Sequence, residues 1–200
     1  MTNIHRHIKE EQILNAAEAI FLEYGYDKAS TRLITKKAGV NIALLHYYFR
    51  DKQSLFNMMV IKRINFLRNQ ISQPVEGKDP MEKLLNTIEH YLTLIFENQL
   101  FYRLMITELM RKDRKDIVEL IELFFNRMEM QISEIINKGM EMHFFRKVNK
   151  EVIVKNIIGL FLEVIIMENE THSFQIERKE ELMIYYKIFC ARFLMTAIDK

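Results

Sequence analysis

Only two prolines and five glycines interrupt 200 residues, against an average usage of about 5% and about 7%. A chain so poor in turn residues cannot supply the many tight turns of an all-β fold. Its apolar residues instead recur at helical intervals: Ile13, Ala16, Ala17, Ile20, Phe21 and Tyr24 make the stripe of one helical face. With 49% hydrophobic and 28% charged residues the chain has the material for a core and lacks the composition of a disordered segment. The spacing predicts an all-α protein of about nine helices.

The few breakers and caps set the boundaries. Gly25 closes a first helix from Ile8 to Tyr24, in the manner of a left-handed C-cap. Thr31 caps a second helix that runs to about Ala38, Gly39 and Val40 make a tight turn, and Asn41 caps a third ending near Phe49. Asp51 caps a fourth, Lys52 to Ile71. Ser72 to Asp79 holds Pro74 and Gly77 and is the best boundary in the chain. Asp79, Pro80 and Glu82 then supply a cap, a proline at the first helical position and an acid at the third, starting a helix to about Asn98. Further helices are expected at Gln99 to Arg111, Asp113 to Met142, Asn149 to Glu168 and Arg178 to Ile198. The domain reading is residues 1–51, a connecting helix at 52–71, and a larger helical domain at 72–200.

The net charge of +2 hides an asymmetry. Residues 1–70 carry 11 basic and 6 acidic side chains, and the other 130 carry 18 and 21. A basic first third suits a polyanionic partner. The longest apolar stretch, Val152 to Met167, is interrupted by Lys155, Asn156 and Glu163 and falls short of the roughly 20 apolar residues of a membrane span. No secretion signal opens the chain, and the single Cys190 fits a reducing cytoplasm.

Enzyme chemistry finds no support. There is no phosphate-cradling glycine loop, no zinc-spaced cysteine set and no nucleophile motif, so no cofactor is expected. Glu168 with His172, and His5 with His7, each lack a third metal partner. Cys190, among apolar neighbours, reads as an inert thiol. The cluster Arg111, Lys112, Arg114 and Lys115 reads as a solvated turn.

Two helices of about eight residues joined by a three-residue turn with a glycine are the spacing of a helix-turn-helix. In that motif the first helix crosses the DNA backbone and the second presents its N-terminal residues to base edges in the major groove. Leu33, Ile34, Ala38, Val40, Leu45 and Phe49 are the expected inward contacts. Thr31, Arg32, Lys36, Lys37, His46, Tyr47 and Lys52 remain as hydroxyl, basic and aromatic groups for a duplex.

The run from Ser30 to Leu55 resembles the signature of the TetR family of bacterial transcriptional regulators, through Thr31, Ile34, Ala38, Gly39, Val40, Leu45, Tyr48, Phe49, Lys52 and Leu55. The resemblance covers about residues 8–60. It implies that Thr31 and Lys52 contact phosphates, that Asn41, Ile42 and Leu44 sit where bases are read, and that His46 and Tyr47 touch phosphate or thymine methyls. Thr35 replaces a usual alanine, Ala43 a usual glycine and His46 a usual tyrosine. The first two keep a small side chain where helices or DNA approach, and the histidine makes its contact open to pH. Of Ile42 and Leu44, one or both face the groove, where they suit thymine methyls better than guanine edges.

The segment Glu151 to Glu168 is apolar almost all round, so it is either central or covered by a second chain. Gly159 on it would allow a close helix approach. The last helix shows two seams: Leu182, Tyr185, Phe189 and Phe193, and Ile184, Ile188, Ala191, Met195 and Ile198. The expected dimer interface therefore uses Ile157, Phe161, Ile165, Ile188, Ala191 and Met195, as a four-helix bundle with the symmetry mates. The resemblance also implies a homodimer. Between residues 81 and 142 a concentration of Met and Phe either packs as plain core or lines an apolar effector pocket. The candidate pocket residues are His90, Phe101, Met105, Glu108, Phe124 and Met128, with Asn98 and Asn126 as further polar groups. The expected function is a ligand-responsive repressor, released from a pseudo-palindromic DNA operator when a small apolar effector shifts the fourth helix. The alternative is a helical ligand-binding or scaffold protein without DNA binding.

Overall fold

The computed structural model describes residues 2–166 and 172–195. Helices follow in the order α1 (Thr2–Lys28), α2 (Thr31–Ala38), α3 (Ile42–Phe49), α4 (Lys52–Ile71), α5 (Pro80–Glu97), α6 (Gln99–Arg111), α7 (Lys115–Glu141), α8 (Lys150–Ile166) and α9 (His172–Leu194). Among the described residues the sole β pairing is one antiparallel bridge, Phe145 with Met195. None of the described helices is long and apolar enough to cross a membrane. The chain forms two compact units: Met1–Phe66 with Leu104–Ile121, and Leu67–Arg103 with Glu122–Lys200.

Several helix ends follow from the expected chemistry. Asn41, Asp51 and Asp79 each accept a backbone N–H three residues on, from Leu44, Ser54 and Glu82, at 2.8, 2.7 and 2.8 Å. Gly25 breaks the helical path of α1 with φ 73° and ψ 167°, an extended conformation at positive φ rather than a left-handed cap. The cap of α2 is Ser30, not Thr31: Ser30 is extended (φ −117°, ψ 149°) and its Oγ accepts the Leu33 N–H, which leaves Thr31 as the first helical residue. The last described helix begins at His172, earlier than the apolar spacing alone indicates.

In the first unit α1 to α4 enclose Ile13, Ala17, Phe21, Ile34, Leu45 and Phe56, all buried. Gln12 donates to the Ala38 carbonyl at 2.7 Å, satisfying a C-terminal acceptor of α2 and tying it to α1. Ion pairs Glu11 to Lys62 and Glu18 to Arg63 join α1 to α4.

In the second unit Phe161 packs edge-on to Tyr91 and tilted against Tyr186, and the Tyr186 hydroxyl donates to the Ile157 carbonyl at 2.9 Å. Gln99 and Arg103 donate to the Val164 and Ile165 carbonyls, capping the end of α8 from α6. Gly139 is required by close approach: a Cβ there would lie 2.1 Å from the Phe145 ring. Cys190 is fully buried, and burial pushes its thiol up to about 12.

The dimer expectation needs correcting on α8. Ile157, Phe161 and Ile165 are buried inside their own protomer, so a partner chain cannot reach them. The outward face of α8 carries Val152, Gly159, Leu162 and Ile166 instead, with open space beside Gly159. On α9 the inward seam is Leu182, Met183, Tyr186, Cys190 and Leu194. Ile184, Ile188 and Ala191 are exposed, Tyr185 and Phe193 with them, and Met195 is half-buried. Ile198 and Glu168 lie outside the described residues, as do the side chains of His5 and His172.

Candidate nucleic-acid interface

The helix-turn-helix is built from local chemistry. Gly39 adopts the left-handed conformation (φ 63°, ψ 36°), its N–H donates to the Lys36 carbonyl at 3.3 Å, and the Val40 N–H donates to Thr35 at 3.1 Å. That pattern ends α2 abruptly, and the Asn41 cap restarts the chain as α3 two residues later. Ile34, Ala38, Leu45 and Phe49 are buried, whereas Leu33, expected inside, is exposed and Val40 is half-buried. Thr35 is buried and its hydroxyl donates to the Arg32 carbonyl at 3.2 Å, which is how this hydroxyl fits in place of a methyl.

Arg32, Lys36, Lys37, Asn41, Ile42, Ala43, His46 and Tyr47 are all exposed, and Thr31 and Leu44 are half-buried. On α3 the exposed positions 42, 43, 46 and 47 share one helical face, opposite the buried Leu45 and Phe49. Tyr47 is 69% exposed, a large aromatic held in solvent with its ring edge-on to Tyr48 at 5.2 Å. Of the two apolar candidates, Ile42 is the one fully presented. Asn41 has its carbonyl oxygen committed to the cap, so only its amide N–H groups remain for a base.

The end of α3 is strained. Arg50 has φ 61° and ψ −58°, and the Asp51 N–H donates to the Phe49 carbonyl at 2.6 Å, the γ-turn of the less common sense. His46 Nδ1 lies 2.7 Å from the Arg50 carbonyl. A carbonyl only accepts, so Nδ1 carries the proton, and in the neutral ring Nε2 has a lone pair and no hydrogen. Neutral His46 thus steadies the turn but offers a phosphate no donor. Hydrogen bonds from Ser54 hold the Asp51 carboxyl below the usual carboxylate range, keeping the cap of α4 charged.

Lys52 is half-buried rather than fully presented. Its Nζ donates to the Tyr26 and Ala29 carbonyls at 2.9 and 3.0 Å and lies 4.3 Å from the Tyr26 ring centre. One of its three protons is left for a phosphate. Tyr26 also receives the Arg114 guanidinium, 3.6 Å from its ring centre, and Arg114 pairs with Glu108 at 2.5 Å, both side chains under 10% exposed. Arg111 pairs with Asp27 at 2.6 Å and holds its carboxyl below the usual range. Arg111, Lys112 and Lys115 of the basic cluster at the junction of α6 and α7 are exposed, as a solvated turn requires, but Arg111 and Arg114 also fasten that junction to the last turn of α1. Sequence reasoning missed this knot, although a carboxylate such as Glu108 on the buried face of α6 demands a nearby cation.

The six pocket candidates are divided between the two units. Met105 and Glu108 belong to the first unit and the other four to the second. Phe101, Met105, Phe124 and Met128 are fully buried core, Glu108 is spent on Arg114, and His90 Nε2 lies 3.0 Å from the Gln70 carbonyl. Asn98 is buried and donates to the Leu94 carbonyl at 2.7 Å, and Asn126 is exposed. No group of three or more His, Cys, Asp or Glu side chains among the described residues is placed to hold a metal.

Residues 13–59 match the family model of bacterial regulatory proteins of the tetR family. The chain is 26% identical over 156 residues to the HTH-type transcriptional regulator HbdR of Aromatoleum sp. (strain CIB), covering 76% of this chain and 66% of that one. It is 27% identical over 195 residues to the HTH-type transcriptional regulator YvdT of Bacillus subtilis (strain 168), covering 94% and 96%. A solved tetR-family regulatory protein from Rhodococcus RHA1 superposes with a TM-score of 0.75 at 19% identity, over 94% of this chain and 98% of that one, and shares its fold. The matched segment spans the latter part of α1, both helices of the reading motif and the start of α4, and through it the chain resembles the bacterial regulatory proteins of the tetR family.

Proposed function

We propose that this chain is a cytoplasmic, homodimeric, ligand-responsive repressor that binds a pseudo-palindromic DNA operator. The observation that carries the reading is the outward face of α3, where Ile42, Ala43, His46 and Tyr47 stand in solvent on a helix whose other face, with Leu45 and Phe49, is buried. Arg32, Lys36 and Lys37 on α2 lie beside it to meet phosphates. Dimerisation through the outward faces of α8 and α9 supports two reading heads, set one helical turn of DNA apart, about 34 to 36 Å, or a multiple of it. An effector in the second unit acts through α4, a continuous helix of 20 residues that starts at Lys52 in the first unit.

The test is a gel shift with the full chain and the DNA flanking its own coding sequence. A specific complex is expected, with log K falling by about 0.9 per phosphate contact for each unit of log salt. Equal affinity for that DNA and for random DNA would overturn the reading.

A further inference from the structure

The second unit contains a cavity of about 400 Å³ at the last turn of α4, the 72–79 loop, α5 and α7, a volume within the range of ligand pockets. Its inner wall is closed by Tyr91, whose hydroxyl donates to Gln131, and by Gln131, whose amide donates to the Ile71 carbonyl at 3.1 Å. These polar groups satisfy one another, so the wall makes few demands on an apolar guest. Burial pushes the Tyr91 hydroxyl up, which keeps it neutral. Ile71, Val75 and Ile135 add apolar surface.

The lining is different in charge from the rest of the unit. Lys78, Lys83 and Lys138 all line the cavity, and none makes an ion pair with a described residue. Of the two acids present, Asp79 is committed to the cap of α5, which leaves Glu134 against three ammonium groups. Gly77 sets the shape of the mouth. A Cβ there would lie 2.3 Å from the Lys83 backbone nitrogen, so the loop rests directly on the first turn of α5.

We propose that this cavity is the effector site and that it takes an amphipathic organic anion, its acid group among Lys78, Lys83 and Lys138 and its apolar body against Ile71, Val75 and Ile135. The assignment rests on the reading of the chain as a ligand-responsive regulator, and it replaces the purely apolar effector expected from the Met and Phe content. Ile71 is the last residue of α4. An anion seated against it binds only the arrangement of that turn that keeps the cavity open, and so biases the helix that leads to Lys52.

The test titrates the full-length protein with anilinonaphthalene sulfonate and, in parallel, with its uncharged counterpart N-phenyl-naphthylamine, following fluorescence. The triple variant Lys78→Met, Lys83→Met, Lys138→Met should weaken the sulfonate by about tenfold or more and change the neutral probe by less than about twofold. Gly77→Val should weaken both probes, and far-UV circular dichroism of each variant verifies the fold. Unchanged sulfonate affinity in the triple variant, or equal loss of both probes there, would overturn the site. In a gel shift, the sulfonate should weaken operator binding by the wild-type chain and not by the triple variant. Sulfonate binding that needs the lysines but leaves operator affinity untouched would overturn the effector role. A chain that binds the sulfonate as stated and never binds DNA would overturn the regulatory reading and leave the anion site standing.

Discussion

The outward faces of α3 and of α8 with α9 both hold large apolar side chains in solvent, and they differ in what stands between them. On the first, Ile42 and Tyr47 are mixed with Asn41 and His46, and Arg32, Lys36 and Lys37 flank them on α2. On the second, Val152, Leu162 and Ile166 face out from one helix and Ile184 and Ile188 from the next, with Ile166 and Ile188 exposed by 66% and 61%. A polyanion with methyl groups in its groove matches the first pattern, and a second copy of the same apolar surface matches the other. Exposure alone does not distinguish the two partners; the interleaved charge does.

The sharpest way to break this contrast is to charge the second face. Leu162→Glu with Ile188→Glu changes two side chains on exposed positions, so the fold should persist while sedimentation shows a monomer. Operator affinity should fall by about 100-fold or more, because each half-site then binds alone. A dimer that survives the double change would remove α8 and α9 from the interface.

The next test separates the two jobs of Asn41. Asn41→Ala should cost about 1 kcal/mol of stability through loss of the cap, measured by urea unfolding. Asn41→Asp keeps the acceptor and loses the amide donor, so stability should hold while operator affinity falls by about tenfold, since one good base contact is worth about 1 to 3 kcal/mol. Retained affinity in Asn41→Asp would place this side chain outside the groove.

Arg32→Ala tests the flanking charge. It should weaken binding to all DNA sequences alike and reduce the salt slope by about 1. A change in sequence preference would mean that Arg32 reads bases.

Much of the reading unit was legible in the sequence because its signals are local. Asn41, Asp51 and Asp79 announce helix starts by a side chain that bonds three residues ahead, and Gly39 announces a left-handed turn. Ser30 and Thr31 are adjacent hydroxyls of nearly equal capping power, so the choice between them was not. In α8 the failure had a different origin. A helix apolar on every side has no periodic contrast, and nothing in the order of Ile157, Phe161 and Ile165 says that they turn inward while Val152, Leu162 and Ile166 turn out. The Met and Phe residues of α6 and α7 met the same limit, since a stripe that lines a cavity and one that fills it have the same spacing. A long-range pair such as Asp27 with Arg111 depends on how α6 meets α1, which no local pattern carries.

Cys190 is the only thiol in the chain, and it stands on α9 one residue before the exposed Ala191. Buried and shifted toward the neutral form, it reacts with an alkylating reagent only when α9 lifts from Phe161 and its neighbours or when the whole unit opens. The alkylation rate of the unmodified protein is then a clock for those openings. Read with and without DNA or a small acid present, one natural atom would time how each partner steadies the helix proposed to join two copies.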